Sequence, residues 1–160
     1  NETLAQVMQK NLEIIGGVSY TAEERKFAED IIKTYPAGVL VSPEDATKIA
    51  PFEVNEKGSG GSTDVGDVSW LVPTAGLGTA TWVPGTSAHT WQAVAAGGTS
   101  IGEKGMMVAA KTLTLTAIDI FNDPEIATKA LSELNTRRGE GFKYEALTGD
   151  RKPPLDYRKN

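Results

Sequence analysis

Helix-period apolar stripes lie toward both ends of this chain, each stopped by glycine or proline, around a middle that reads by alternation. That division constrains the fold more than any other feature. Leu4, Val7, Met8, Leu12 and Ile15 make one stripe, and Gly16-Gly17 closes it. Thr21-Ala-Glu-Glu24 has the form of a capping box. It opens a second helix whose buried face is expected to be Phe27, Ala28, Ile31, Ile32 and Tyr35, with Pro36 as its stop. Ser42-Pro-Glu-Asp45 reads as the start of a short helix. Ser100-Ile-Gly-Glu103 resembles another capping box, before a long helix with Met107, Ala110, Leu113, Ala117 and Ile120 at helical spacing. Small residues such as Gly105, Ala109 and Ala110 suit that helix to close packing on a sheet. Asp123-Pro124 starts the next helix, with Ile126, Ala130, Leu131 and Leu134 inside and Gly139 at its end.

The middle carries three strand candidates. Val39–Val41 is a short apolar run, Val68–Val72 a longer one, and Leu77–Val83 alternates, with Pro73 and Pro84 as punctuation. Three or four strands with five helices predict an α/β chain: a mixed sheet flanked by helices, and a sheet so small that it belongs to a wider one.

At 160 residues the chain is one domain or part of a larger one. Its net charge of −5 comes from interspersed residues, with no basic face for nucleic acid. Arg151, Lys152, Arg158 and Lys159 read as a solvated tail. The chain has no cysteine, which excludes disulfides, thiolate metal sites and cysteine nucleophiles. No run approaches the ~20 apolar residues of a membrane helix. A soluble, cytoplasmic protein without membrane or nucleic-acid partners is expected.

Candidate chemistry gathers in two segments. Gly61-Ser-Thr-Asp-Val-Gly-Asp-Val-Ser-Trp70 sets Asp64 and Asp67 beside a glycine turn, and Pro84-Gly-Thr-Ser-Ala-His-Thr-Trp91 holds the single histidine, His89. Imidazole and carboxylate are ligands for divalent metals, and the small neighbours Thr86, Ser87 and Ala88 leave room for one. His89 as a solvated loop residue and Asp64 or Asp67 as Asx-turn closers are the competing readings. The run Gly58-Ser-Gly-Gly-Ser62 lacks the Gly-Lys-Ser/Thr ending of a phosphate loop. A triad from Ser62 or Ser87, His89 and Asp64 has no nucleophile elbow behind it. Trp91 is a candidate wall for a flat substrate group, and Trp82 a core residue.

The glycine-aspartate segment, Ala88-His-Thr-Trp-Gln92 and Lys104-Gly-Met-Met-Val-Ala-Ala-Lys111 running into Leu115-Thr-Ala-Ile118 together resemble the C-terminal part of the aminobenzoyl-glutamate utilization protein B subfamily. That subfamily is similar to the aminoacylase and carboxypeptidase metallopeptidases. The resemblance implies residues 1–154 as the C-terminal portion of a zinc-exopeptidase-like catalytic domain, with 155–160 as a tail. It implies a two-metal amidohydrolase that cleaves p-aminobenzoyl-glutamate or a related N-acyl amino acid. His89 matches a metal ligand for zinc or manganese, no catalytic residue is assigned, and Gly61, Ser62, Thr63, Asp64 and Trp91 border the substrate. The family's His-x-Asp motif, paired acidic residues and other histidine have no counterpart in this sequence. The implied partners are an acyl-amino-acid substrate, the remaining part of the enzyme and further copies in an oligomer. The portion is expected to be inactive alone. The alternative is a non-catalytic binding or interaction module with the same fold.

Overall fold

A computed structural model describes residues 1–55, 63–156 and 158. Six α-helices and one short 3-10 helix make up the regular structure among the described residues, and no strand is present there. The α/β expectation with its mixed sheet is therefore overturned: the described fold is all helical.

Helix α1 (Glu2–Ile15) starts at Asn1, whose side chain accepts from Leu4 N, and ends at Gly16 with φ 80°. Helix α2 (Ala22–Ile32) carries the full capping box, Thr21 and Glu24 each binding the other's backbone N–H. A 3-10 helix spans Pro43–Thr47. Helix α3 (Val65–Ser69) and helix α4 (Trp91–Gly97) are short. Helix α5 (Ser100–Asn122) is the longest element and is capped by Thr99, one residue earlier than the sequence suggested. Helix α6 (Pro124–Arg138) opens on Asp123 and Pro124 and closes at Gly139, φ 77°.

Helix α5 is the spine, with α1, α4 and α6 packed on it. Asn11 of α1 is buried and donates to Asp119 (2.7 Å) and Thr116 (3.3 Å) of α5. Its amide would be costly to bury without them. Glu133 of α6 accepts from the backbone N–H groups of Glu2 (2.7 Å) and Thr3 (2.9 Å). A carboxylate thus sits on the free donors at the positive end of α1. Burial would raise Glu133's pKa, but these hydrogen bonds outweigh it and hold the carboxyl below its ordinary value. The central core is Ala28, Ile31, Val83, Ala96 and Ile101, with Phe27, Ile32 and Tyr35 packed against it, so the expected inner face of α2 is the observed one.

The strand expectations failed for separate reasons. At 68–72 the chain turns helical. Ser69 Oγ donates to Gly66 O (2.7 Å), and Val68, Leu71 and Val72 stay about half exposed. At 39–41 a turn from Pro36 O to Val39 N (3.4 Å) intervenes, and Leu40 faces solvent. At 77–83 the alternation is real: Leu77, Thr79, Thr81 and Val83 are all covered to some degree, whereas Gly78 and Trp82 are open. What is missing is a ladder. The neighbour of this segment is helix α5, not a strand. Gly105 presents bare backbone to Ala80 and Thr81, and Thr79 Oγ1 donates to Gly105 O (3.0 Å). Alternation reports that one side is covered, not what covers it.

The apolar stripe read along α5 also proved inverted. Of the stripe, Met107, Ala110, Leu113 and Ala117 face outward and Ile120 alone is partly covered, while Ile101, Gly102, Gly105, Thr112 and Thr116 are buried. The groups that face the fold are small or hydroxyl-bearing. Thr112 and Thr116 satisfy their hydroxyls on carbonyls one turn back, at 2.8 Å each, so they can be buried without a foreign partner.

Candidate functional site

His89 sits in the loop between Val83 and α4. Thr86 pins one side of it: its N–H and hydroxyl both reach Val83 O (3.1 and 2.7 Å), and Tyr35 shares a 2.7 Å hydroxyl contact with it. Thr90 pins the other side, donating to Ser87 O (2.8 Å) and capping Ala93 N (3.4 Å). Gln92 ties α4 to Thr34 (3.2 Å). Gly85 turns the chain at φ 83°, flanked by Tyr35, Val39 and Val41.

Between these pins His89 adopts φ 60°, the one non-glycine residue with positive φ among the described residues. A side chain in that region costs roughly 1–2 kcal/mol. Its imidazole is exposed and joins no hydrogen bond or ion pair among the described residues. The ring of this strained residue is thus free of packing duty, with the loop held from either side of it. His89→Gly is expected to raise the unfolding free energy by up to ~1 kcal/mol, since glycine enters this region freely. His89→Asn should change it little. Urea melts of the three proteins check this. A destabilised glycine variant would mean that the imidazole itself holds the loop.

Gly61 and Ser62 lie outside the described residues. Thr63 approaches Asp64 (3.5 Å) and accepts from Val65 N (3.3 Å), so this turn is closed by the threonine hydroxyl rather than by the aspartate. Asp64 precedes α3 without capping it. Asp67 accepts from Tyr144 (2.7 Å), and that carboxylate holds the phenol above its ordinary pKa. Beside it Trp70 stacks on Phe142, with centroids 5.1 Å apart and planes 17° apart, and Arg138 lies over Phe142. Trp91, at the start of α4, is 60% exposed and lines neither of the cavities described next. Trp82, expected in the core, is also an exposed residue and stands beside Gly97. No hydrogen bond or ring contact joins Thr63 or Asp64 to His89 or Trp91 among the described residues.

Two concavities lie elsewhere. A cleft of about 570 Å³ runs between α1, residues 45–53 and the extended segment 76–80, with Met8, Leu12, Ile49 and Phe52 on its walls. A smaller one of about 260 Å³ adjoins Trp70, Arg137 and Arg138. The sequence offered no warning of the larger cleft, because its walls come from segments that each read as ordinary helix, strand or loop.

Among the described residues, no three histidine, cysteine or carboxylate side chains come together as a metal would need. A two-metal centre takes more donors than His89 supplies. These residues do not fit such a centre by themselves.

The chain is similar to one subunit of a bacterial hydrolase. The match is to the p-aminobenzoyl-glutamate hydrolase of Escherichia coli (strain K12), in the one of its subunits designated B. It is 32% identical over 155 residues and covers 83% of this chain. The chain spans about a third of that relative's length, 32%. No family model matches the chain. No solved structure matches it. No helix among the described residues is long and apolar enough to cross a membrane.

Proposed function

We propose that this chain is the C-terminal portion of a metal-dependent amidohydrolase that cleaves p-aminobenzoyl-glutamate or a related N-acyl amino acid. His89 supplies one donor to a zinc or manganese site, and the other donors come from polypeptide outside this sequence. The Gly61–Asp64 segment and Trp91 border the acyl-amino-acid substrate in the assembled enzyme. The chain alone does not hydrolyse amides. The observation that carries this reading is the presentation of His89, a single imidazole held at φ 60° in a braced loop and aimed at solvent. The relationship to a named hydrolase supports the substrate class.

Reconstitution tests it. The purified chain is assayed with p-aminobenzoyl-glutamate and zinc or manganese, alone and then with the remaining part of the enzyme supplied as a separate polypeptide. Hydrolysis is expected only with both present, and it should disappear, together with bound metal, in His89→Ala. Hydrolysis by the chain alone, or full activity of the reconstituted His89→Ala enzyme, overturns the reading.

A further inference from the structure

Helix α3 lacks the usual supports of a helix. Its five residues, Val65–Ser69, bury no side chain, and no helix packs along it as α1 and α6 pack along α5. A helical segment this short does not persist in water on its own. What holds it is the end of α6 and the chain that follows. Tyr144 donates to Asp67 (2.7 Å), Phe142 stacks on Trp70 (ring centroids 5.1 Å apart), and Arg138 Nη1 donates to Trp70 O (3.0 Å). Asp67 and Trp70 stand three residues apart, so one side of α3 carries all three contacts. The Arg138 guanidinium also lies 5.4 Å from the centroid of Phe142, which adds a cation–π contact to the stack.

The route of this segment is written in its glycines. Gly139 and Gly141 take φ 77° and 76°. Two left-handed residues in three reverse the chain after α6 and return Phe142 to Arg138, a path that residues with a Cβ would follow only under strain. Phe142 and Tyr144 stand outside the central core cluster, so their contacts secure α3 rather than the body of the fold. We propose that residues 138–144 are a strap that positions Thr63 and Asp64, with Phe142 and Tyr144 acting through Trp70 and Asp67. Asp64 precedes α3 directly, so its place follows that of the helix. The positioning role rests on the reading that Thr63 and Asp64 border the acyl-amino-acid substrate. A segment ordered before substrate arrives spares binding the entropy of ordering it.

The double variant Phe142→Ala/Tyr144→Phe tests the strap in the free chain by nuclear magnetic resonance. The Cα chemical shifts of residues 65–69 should move most of the way to unfolded values, while those of α1, α5 and α6 and the melting temperature stay unchanged. Phe142→Tyr, which keeps the stacking ring, should behave as the unmodified chain, and so should Lys143→Ala, an exposed residue between the two. In the reconstituted enzyme, a double variant whose α3 is formed about a tenth of the time should show a KM for p-aminobenzoyl-glutamate raised about tenfold, with kcat and bound metal unchanged, because only the competent fraction binds. A merely structural role would not produce that split. Unchanged shifts at 65–69 in the double variant overturn the strap. Lost helical shifts with an unchanged KM overturn the positioning role. If the unmodified reconstituted enzyme hydrolyses nothing, the amidohydrolase reading fails and the positioning role with it, and the chemical shifts still decide the strap.

Discussion

Gly105→Ala is expected to destabilise the protein by about 3 kcal/mol or more, a loss of roughly 6–12 °C in melting temperature for a domain of this size. The added Cβ would lie 2.5 Å from Ala80 O, 2.7 Å from Ala80 C and 2.8 Å from Thr81 Cα. All three are backbone atoms, so no rotamer change relieves the overlap. The helix and the extended segment must separate, and the hydrogen bond from Thr79 to Gly105 O goes with them. Helix propensity points the other way, favouring alanine by ~1 kcal/mol. The sign of the result therefore separates the contact from the propensity. Gly66→Ala in α3 is the control: a Cβ there meets nothing within 4 Å, and the variant should be neutral or up to ~1 kcal/mol more stable. Urea unfolding followed by circular dichroism measures both.

Glu24 gives the second large effect. Its carboxylate is buried and accepts from Thr21 N (2.6 Å), Ser100 Oγ (2.6 Å) and Lys104 Nζ (2.5 Å), which joins the start of α2 to the first turn of α5. Burial would raise its pKa, but the hydrogen bonds from Lys104, Ser100 and Thr21 outweigh that and hold it at about 2. A carboxyl depressed on folding contributes stability that is complete above its unfolded pKa. That contribution fades as pH falls from about 4.5 toward about 2. The contribution is on the order of 2 kcal/mol after screening at the partly exposed Lys104. Glu24→Gln should lose that amount at pH 7 and show a flatter stability profile between pH 4.5 and pH 2. Other titrating carboxylates remain in the variant, so the informative quantity is the difference between the two profiles. Parallel profiles would show that the three donors do not favour the charged form.

Several helix ends were legible in the sequence because their signals are local, although residues 91–97 were not read as a helix and α3 fell partly in an expected strand. Gly16, Thr21, Asp123-Pro124 and Gly139 each act within one turn, and each sits where the chain says it should. The strands were misread because pairing is not local. Leu77–Val83 has the period of a strand and the burial of one, and its neighbour is a helix. The inversion of α5 has the same origin. Periodicity identifies an apolar row, but Thr112 and Thr116 self-satisfy and bury as readily as Leu113 would, so the row alone does not say which side faces in. Of the candidate site, the sequence picked out His89 by scarcity and small neighbours. Its left-handed backbone lies between the hydrogen bonds of Thr86 and Thr90, and these contacts are not announced by the sequence. The pairing of Asp67 with Tyr144 joins segments far apart in the chain, and nothing in either segment signals it.

Glu133 of α6 seats the start of α1 across a separation of 131 residues. Until α6 docks, the first amide groups of α1 are bound only to water. Closing so long a loop is slow compared with forming either helix. The start of α1 is thus among the last parts of this fold to become secure, and without the Glu133 carboxylate it would not be secured in this way.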